Sequence, residues 1–240
     1  MQISRYFIQS DIAPRLKIAL IADVHDRPCR DVIETLAQEK PDIIAIAGDL
    51  TNKPLTPDSQ ALVVLRKLAA IAPAFYTAGN HEACFNERDR EHAEAVGAVF
   101  LDNEWTSFKG IYIGGLRTGF DGRSRRHSPP PKTQWLDDFE TLSGFKLLVC
   151  HHPEYYEKYL AHRDFDLILS GHAHGGQIRL FGRGLFSPAQ GIFPKYTKGV
   201  FDNRLVVSAG LANTTFIPRF NNPRDLVLIE TGYTDEEYDP

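Results

Sequence analysis

The sequence predicts an α/β sandwich in which central mixed sheets are flanked by helices. Short apolar runs recur along the chain, and runs with little polar alternation are typical of strands covered on both faces. Between the early runs lie stretches with apolar residues at helical spacing, and strand–helix–strand order is typical of a sheet covered by helices. With 240 residues, 42% hydrophobic and 24% charged, the chain fits a single folded domain over residues 1–240.

The elements follow one another as strands and helices up to Gly171, after which strands and loops dominate. The first predicted helix illustrates the helical spacing, with apolar residues at Val32, Ile33 and Leu36. The predicted strands span Leu16–Ala22, Asp42–Ala47, Ala74–Ala78, Val96–Leu101, Ile111–Leu116, Phe145–Cys150, Asp166–Ser170, Leu205–Ala209 and Leu226–Glu230. The predicted helices span Arg30–Glu39, Ser59–Ile71, Glu87–Val96, Thr133–Leu142 and Glu154–Ala161.

Two stretches are irregular in composition. Gly119–Lys132 contains three consecutive prolines and several basic residues, which predicts an exposed loop. Gly182–Gly199 is rich in glycine and proline but also apolar. Its apolar side chains either form a wall for an acyl chain or a base, or pack as core under a long loop. They are Leu185, Phe186, Ile192, Phe193 and Tyr196.

The charge content limits the possible binding partners, and the cysteine content indicates the cellular compartment. Lys and Arg number 27 against 31 Asp and Glu, so the formal net charge is −4 and no broad basic field favours nucleic acid. A nuclease stays an alternative, because the basic run Arg123–Arg126 could touch a phosphate backbone. Three separated cysteines form no disulfide framework and predict a cytoplasmic protein. No apolar run approaches the length of a transmembrane segment, and the sequence carries no indication of the oligomeric state.

Side chains that can bind metal follow several predicted strands directly. In open α/β sheets, ligands bind at the carboxyl ends of the strands. Each motif is weak by itself, because a Gly-Asp pair, for example, is usually a turn or a helix cap. Their joint placement at strand ends is poorly explained by chance. The motifs are D-V-H at 23–25, G-D at 48–49, G-N-H-E at 79–82, H-H-P at 151–153 and G-H-A-H at 171–174.

The donor types indicate a pair of divalent ions. Carboxylate, imidazole and amide oxygen suit Mn, Fe or Zn, and the absence of cysteine argues against a structural zinc site. Two carboxylates with neutral imidazoles leave a dinuclear site positively charged, so it would attract an anion such as phosphate. Two metals ~3.5–4 Å apart can clamp the attacking and leaving oxygens of an in-line displacement.

In this order, each after a strand, the motifs resemble those of the calcineurin-like metallophosphoesterase family. Beyond them, SGHAHGGQIRL and VVSAGLANTTFIPRFNNPRDLVLIE resemble the bacterial YkuE-type branch, so the resemblance covers nearly the whole chain. It implies a metallophosphoesterase-like α/β sandwich. It also implies a role for each motif residue.

In that resemblance Asp49 bridges both metals, together with a water or hydroxide. His151 is preferred over His152 as a ligand, because the branch usually places its ligand two residues before the proline. His152 would then contact one of the metal-binding side chains or face the substrate. The first metal would be held by Asp23, His25 and His174, and the second by Asn80, His151 and His172.

His81 is implied to act on the substrate rather than on a metal. It would stabilise the phosphate or protonate the leaving oxygen, with Asn80 and Asp49 completing the catalytic group. The alternative is that His81 caps a helix or packs under its loop. Many relatives have an aspartate three residues after the bridging aspartate to orient this histidine. Here that position is Asn52, so an Asp–His dyad is in doubt, and Glu82 could serve instead.

Arg27 and Arg179 are further candidates for phosphate contact, although either could be a structural or surface charge.

The overall prediction is a dinuclear-metal-dependent phosphoesterase that hydrolyses a mono- or diester of a small phosphorylated substrate, with a metal-bridging hydroxide as nucleophile. Mn is the favoured metal, with Fe or Zn as alternatives. A pyrophosphatase for a nucleotide-sugar or lipid-linked substrate is the alternative enzyme. A non-catalytic metal-binding interaction scaffold is disfavoured because the ligand set is complete.

Overall fold

The computed structural model describes residues 1–121, 129–187, 190–213 and 217–233. The strands are β1 (Gln2–Gln9), β2 (Leu16–Ile21), β3 (Ile43–Ala47), β4 (Ala74–Thr77), β5 (Ala98–Phe100), β6 (Glu104–Phe108), β7 (Ile111–Leu116), β8 (Phe145–Cys150), β9 (Leu167–Ser170), β10 (Arg179–Leu180), β11 (Arg183–Gly184), β12 (Phe186–Ser187), β13 (Gly191–Ile192), β14 (Gly199–Phe201), β15 (Leu205–Val207) and β16 (Asp225–Gly232). The α-helices are α1 (Arg30–Glu39), α2 (Gln60–Ala69), α3 (Glu87–Ala95) and α4 (Trp135–Glu140). Short 3₁₀ turns cover Asn80–Glu82 and His174–Gly176, and a π-helix covers Tyr156–Leu160.

Two six-stranded sheets form the centre of the protein, with the orders β1-β16-β2-β3-β4-β5 and β14-β15-β9-β8-β7-β6. Strands β2 to β5 are parallel, and so are β7, β8, β9 and β15. Antiparallel pairs of β16 with β2, β14 with β15 and β6 with β7 make both sheets mixed. Strands β10 to β13 form two small hairpins.

The sheets pack face to face, and helices cover their outer sides. Leu20 and Ala45 of the first sheet share one buried cluster with Val149 and Leu169 of the second. A second cluster joins the first sheet to α1, α2 and α3, and a third joins the other sheet to α4 and the π-helix. The central strands are therefore buried on both faces, which explains why their sequences are continuous apolar runs.

The predicted architecture is confirmed, and most predicted elements are present within one or two residues. Three edge strands, β1, β6 and β14, and the short hairpin strands β10 to β13 were missed. The helix predicted over Glu154–Ala161 is largely a π-helix, and Val96 ends α3 rather than starting a strand. The run Arg123–Arg126 lies outside the described residues. No helix in the described part of the chain has the length and apolar character that crossing a bilayer requires.

The fold brings the carboxyl ends of both groups of parallel strands to one rim. A hydrogen bond shows how close the two sheets are there: Nδ1 of His151, just after β8, lies 2.7 Å from the carbonyl oxygen of Ala47, the last residue of β3. The loops after β2, β3 and β4 in one sheet therefore meet the loops after β8 and β9 in the other.

Candidate metal centre

The backbone turns sharply where each of these loops leaves its strand. The φ angles are 55° at Asp23, 48° at His25, 53° at Asp49, 65° at His172 and 45° at His174. This left-handed region costs a non-glycine residue about 1–2 kcal/mol. Five such residues lie together here, so the surrounding structure must hold their backbone in place, as is common at functional sites. The turns aim the side chains back over the strand ends.

Glu82 ties the loops after β3 and β4 together. Its fully buried carboxylate accepts hydrogen bonds from the backbone N–H groups of Asp49 at 2.8 Å, Thr51 at 3.0 Å and Gly79 at 2.6 Å. Gly79 lacks a side chain for a steric reason, because a Cβ there would lie 2.3 Å from Oδ1 of Asp49. Glu82 thus fixes the position of Asp49 and does not pair with His81 as the sequence left open.

Asp23, His25 and His174 form one cluster of potential ligands. Oδ1 of Asp23 lies 3.9 Å from Nε2 of His25 and 3.6 Å from Nε2 of His174. Each imidazole presents Nε2 because its Nδ1 is engaged elsewhere. Nδ1 of His25 lies 2.9 Å from Oδ1 of Asn52, and Nδ1 of His174 lies 3.2 Å from the carbonyl oxygen of Ala212. Oxygen acceptors at Nδ1 fix the tautomer whose Nε2 lone pair can bind metal.

Asp49, His151 and His172 form a second cluster, and Asn80 adjoins it. Nε2 of His151 lies 3.2 Å from Oδ2 of Asp49, 3.1 Å from Oδ1 of Asn80 and 3.2 Å from Nδ1 of His172. The Ala47 carbonyl holds the other nitrogen of His151. Carboxylate, amide oxygen and two imidazoles therefore converge on one point from both sheets.

Asp49 lies between the two clusters. Its Oδ2 is 3.8 Å from Nε2 of His25 on one side and 3.2 Å from Nε2 of His151 on the other. The structure thus brings together the side chains that the sequence resemblance grouped around each metal, with Asp49 between the two groups.

The donor set fits divalent ions. Oδ1 of Asp23 and Nε2 of His25 are buried, and neither has a hydrogen-bond partner among the described residues. Leaving buried polar atoms unpaired is costly, and a cation between them would satisfy both. Oxygen and imidazole nitrogen are the ligands that Mn, Fe and Zn accept.

Burial and neighbouring charges set the protonation states of the centre. Burial raises the pKa of Asp23 and Asp49, but the surrounding histidines outweigh it and hold both pKa values below their ordinary range. Burial and the charge of His152 lower the pKa of His172 to about 3, which keeps its imidazole neutral. Burial lowers the pKa of His151, yet the Asp49 carboxylate outweighs it and raises the pKa to about 10. Metal binding at His151 would therefore displace a proton.

Residues 16–176 match the family model of the calcineurin-like phosphoesterases. This span is more than half of the 240 residues and contains every side chain of both clusters. The chain belongs to the calcineurin-like phosphoesterase family. The motifs of the sequence predicted this family. The family depends on a pair of metal ions, and the two His/Asp clusters offer their ligands.

Relatives agree with this membership. An uncharacterized metallophosphoesterase of Helicobacter pylori is 27% identical over 221 residues, covering 89% of this chain and 59% of the relative. The uncharacterized metallophosphoesterase YkuE of Bacillus subtilis is 28% identical over 251 residues, covering 92% and 82%. Phosphodiesterase YaeI of Escherichia coli is 28% identical over 192 residues, covering 72% and 66%. This chain spans less than two thirds of the length of the Helicobacter relative.

A solved structure shares the fold. The protein TT1561 of Thermus thermophilus matches with a TM-score of 0.50 at 13% sequence identity, covering 66% of this chain and 82% of that chain. At this identity the likeness supports the metallophosphoesterase-like sandwich alone.

His152 lies beside the centre but is turned away from its middle. Its Nε2 is 2.8 Å from Oγ1 of Thr118, and its Nδ1 is 2.9 Å from Oε1 of Glu154. The ring is buried and packs 4.3 Å, centroid to centroid, from that of His172. Thr118 and Glu154 were not singled out in the sequence, because nothing local marks them as partners of a histidine.

His81 stands at the open side of the phosphoesterase site. Its side chain is 32% exposed, and its Nε2 lies 3.9 Å from Oδ2 of Asp49. Its backbone N–H donates to Oδ1 of Asp49 at 2.9 Å, and its ring meets that of His25 edge-on. Asn52 does not orient His81, because its amide oxygen contacts His25 instead.

The two candidate arginines have different surroundings. Arg179 donates to the carbonyl oxygens of Gly175 and Gly182 and to Oγ1 of Thr197, so it holds the loop after the last ligands. Arg27 is exposed and lines a cleft next to the first cluster. Arg219 was missed by sequence reasoning, although its Nη2 lies 3.4 Å from Nδ1 of His174.

Proposed function

We propose that this phosphoesterase hydrolyses a phosphate mono- or diester at a dinuclear centre formed by seven side chains. The observation that carries the proposal is the pair of ligand clusters that share Asp49. The ligands are Asp23, His25 and His174 on one side, Asn80, His151 and His172 on the other, and Asp49 between them.

When bound, two divalent ions, Mn being favoured, would supply positive charge to the phosphoryl oxygens and lower the pKa of an attacking water. The protein's own contribution is to hold the ligands at fixed positions and to place His81 beside them. Because the His81 side chain is partly exposed and borders Asp49, it can reach a substrate phosphate. We assign to it the protonation of the leaving oxygen, with Asn80 helping to orient the phosphoryl group.

His152 is assigned a positioning role. Both of its ring nitrogens are engaged and the ring is buried, so it has no face for a substrate. The His152 ring packs on that of His172, and Oε1 of Glu154 lies 3.8 Å from Nε2 of His172. Together these contacts keep Nδ1 of His172 directed toward His151. We propose this contact with a metal-binding side chain, one of the two roles that the sequence left open, instead of a contact with the substrate.

Two observations bear on the substrate. The relative named phosphodiesterase YaeI favours a diester. The alternative, a pyrophosphate carrying a lipid, is favoured by Ile192 and Phe193, whose side chains are each 75% exposed, whereas Tyr196 of the same segment is core. The apolar segment thus contains both core and exposed residues.

Metal analysis combined with a substrate panel tests the proposal. The purified chain should bind two equivalents of Mn²⁺ and hydrolyse an aryl phosphate, an aryl phosphodiester or a UDP-linked lipid. Asp49→Asn keeps the left-handed backbone but removes the shared charge, and it should lower kcat at least about 100-fold with loss of bound metal.

His162→Gln is the matched control, because His162 is exposed and belongs to neither cluster. It should retain both metal and turnover. Two bound metals without turnover of any panel member would favour the scaffold instead. Full turnover by Asp49→Asn would refute the proposed centre.

A further inference from the structure

We propose that a cleft beside the first ligand cluster binds a second anionic group of the substrate, a phosphate or a carboxylate carried by the leaving group. The proposal rests on the proposed function and specifies its substrate class. The cleft has a volume of about 560 Å³ and lies between the start of α1 and the loops that precede β16.

Positive charge is concentrated in this cleft. Four arginines line it, and among the described residues only one of them is in an ion pair: Arg224 lies 2.6 Å from Asp31, the single carboxylate of the lining. Arg27, Arg30 and Arg219 keep a net excess of positive charge in a chain whose formal net charge is −4. Such a local excess is what a bound anion would neutralise.

Two of these arginines have donors to offer. The guanidinium groups of Arg27 and Arg30 make no hydrogen bond with any described residue, and both side chains are exposed. Arg219 is held instead by the carbonyl oxygens of Ala209 at 2.6 Å and Ala212 at 2.5 Å, so it contributes a fixed charge. Arginine suits planar oxyanions because its donors match two oxygens at once.

The cleft borders the first ligand cluster on the Nδ1 side of His174. Nη2 of Arg219 lies 3.4 Å from Nδ1 of His174, whose Nε2 faces Asp23. The backbone N–H of Arg27 donates to the carbonyl of Val24 at 3.1 Å, inside the D-V-H turn. The proposal places the leaving group of a substrate bound at the ligand clusters along the exposed side chain of Arg27, two residues after His25, and toward the other arginines.

Apart from Asn213, the rest of the lining carries no polar oxygen or nitrogen in its side chains. Pro28, Leu211 and Ala212 contribute carbon surface, and Leu211 is tied to the end of β2 by a 3.1 Å hydrogen bond from its N–H to the carbonyl of Ala22. An apolar wall below cationic side chains suits an organic body that carries an anion. It does not suit a free inorganic ion alone.

Isothermal titration calorimetry on the purified full chain supplied with Mn²⁺ tests the cleft. The probes are three phenylphosphonates that differ only at the meta position, which carries a neutral carboxamide, a carboxylate or a second phosphonate. The unmodified chain should bind the anionic probes about tenfold more tightly than the carboxamide. The ratio between carboxylate and phosphonate shows which anion the cleft prefers.

Arg27→Met and Arg30→Met retain an unbranched apolar stem and remove the guanidinium. Each should reduce the preference for anionic probes, and the double variant should abolish it with little change in carboxamide affinity. Arg66→Met is the control, because Arg66 is exposed in the last turn of α2 and does not line the cleft. Equal affinity for all three probes, or an unchanged preference in the double variant, would overturn the proposal.

The binding measurement separates this proposal from the proposed function. A chain that hydrolyses no phosphate ester but keeps arginine-dependent binding would refute the hydrolase assignment and retain the anion cleft. A chain that hydrolyses phosphate esters without any arginine-dependent preference would refute the anion cleft and retain the hydrolase assignment.

Discussion

Metal binding should stabilise the whole fold, because the ligands are divided between the two sheets. One group of ligands follows β2, β3 and β4, and the other follows β8 and β9. Unfolding separates these loops, so the unfolded chain has no preformed site. Ions that bind only the folded state therefore shift the unfolding equilibrium by mass action.

The expected size of the effect follows from two sites. An ion at 100 times its dissociation constant contributes about 2.7 kcal/mol, so two independent sites contribute roughly 5 kcal/mol. For a chain of this size, 1 kcal/mol raises the melting temperature by about 2–4 °C, which predicts a rise of roughly 10–20 °C.

Thermal unfolding followed by circular dichroism, in excess chelator and then along an Mn²⁺ titration, measures this shift. His174→Gln should lose about half of the gain, because it removes a ligand of the first cluster alone. His162→Gln should behave as the unmodified chain, since that side chain is exposed outside both clusters. A melting temperature that is the same in chelator and in saturating Mn²⁺ would refute the reasoning.

Three further substitutions separate chemistry from architecture. His81→Ala should leave bound metal unchanged and lower kcat by about 10²–10⁴, which elemental analysis and kinetics check together; a loss of metal would contradict this. Glu82→Ala leaves three buried N–H groups unpaired and should destabilise by about 3 kcal/mol or more in urea unfolding, whereas the exposed Glu91→Ala should change little. Gly79→Ala should impair metal binding, because its Cβ would collide with the Asp49 carboxylate; normal metal content would disprove that clash.

The position of the candidate ligands at strand ends could be predicted from the sequence because two local signals coincide there. Each of these buried strands is a continuous apolar run, and its ligands follow within one to four residues, as Asp49 follows β3 and His151 follows β8. The edge strands were missed for the opposite reason. In β1 only Ser4 and Ile8 are buried, and β6 and β14 have no fully buried residue, so none of the three carries a long buried apolar run.

Contacts between distant parts of the chain were beyond sequence reasoning. Arg219 meets His174 from a position 45 residues away, and Glu82 secures the backbone of Asp49 from 33 residues away. The choice between His151 and His152 also depends on tertiary structure. It depends on the Ala47 carbonyl from one sheet and on Thr118 and Glu154 from the loops of the other.

The positive φ angles at Asp23 and Asp49 restrict how this site can change over generations. Asparagine tolerates that backbone nearly as well as aspartate, whereas β-branched or bulky residues do not. The accessible first step toward an inactive descendant is therefore an Asp-to-Asn exchange, which removes charge while preserving shape. Such a descendant would keep the backbone and the shape of the site after it had lost its activity.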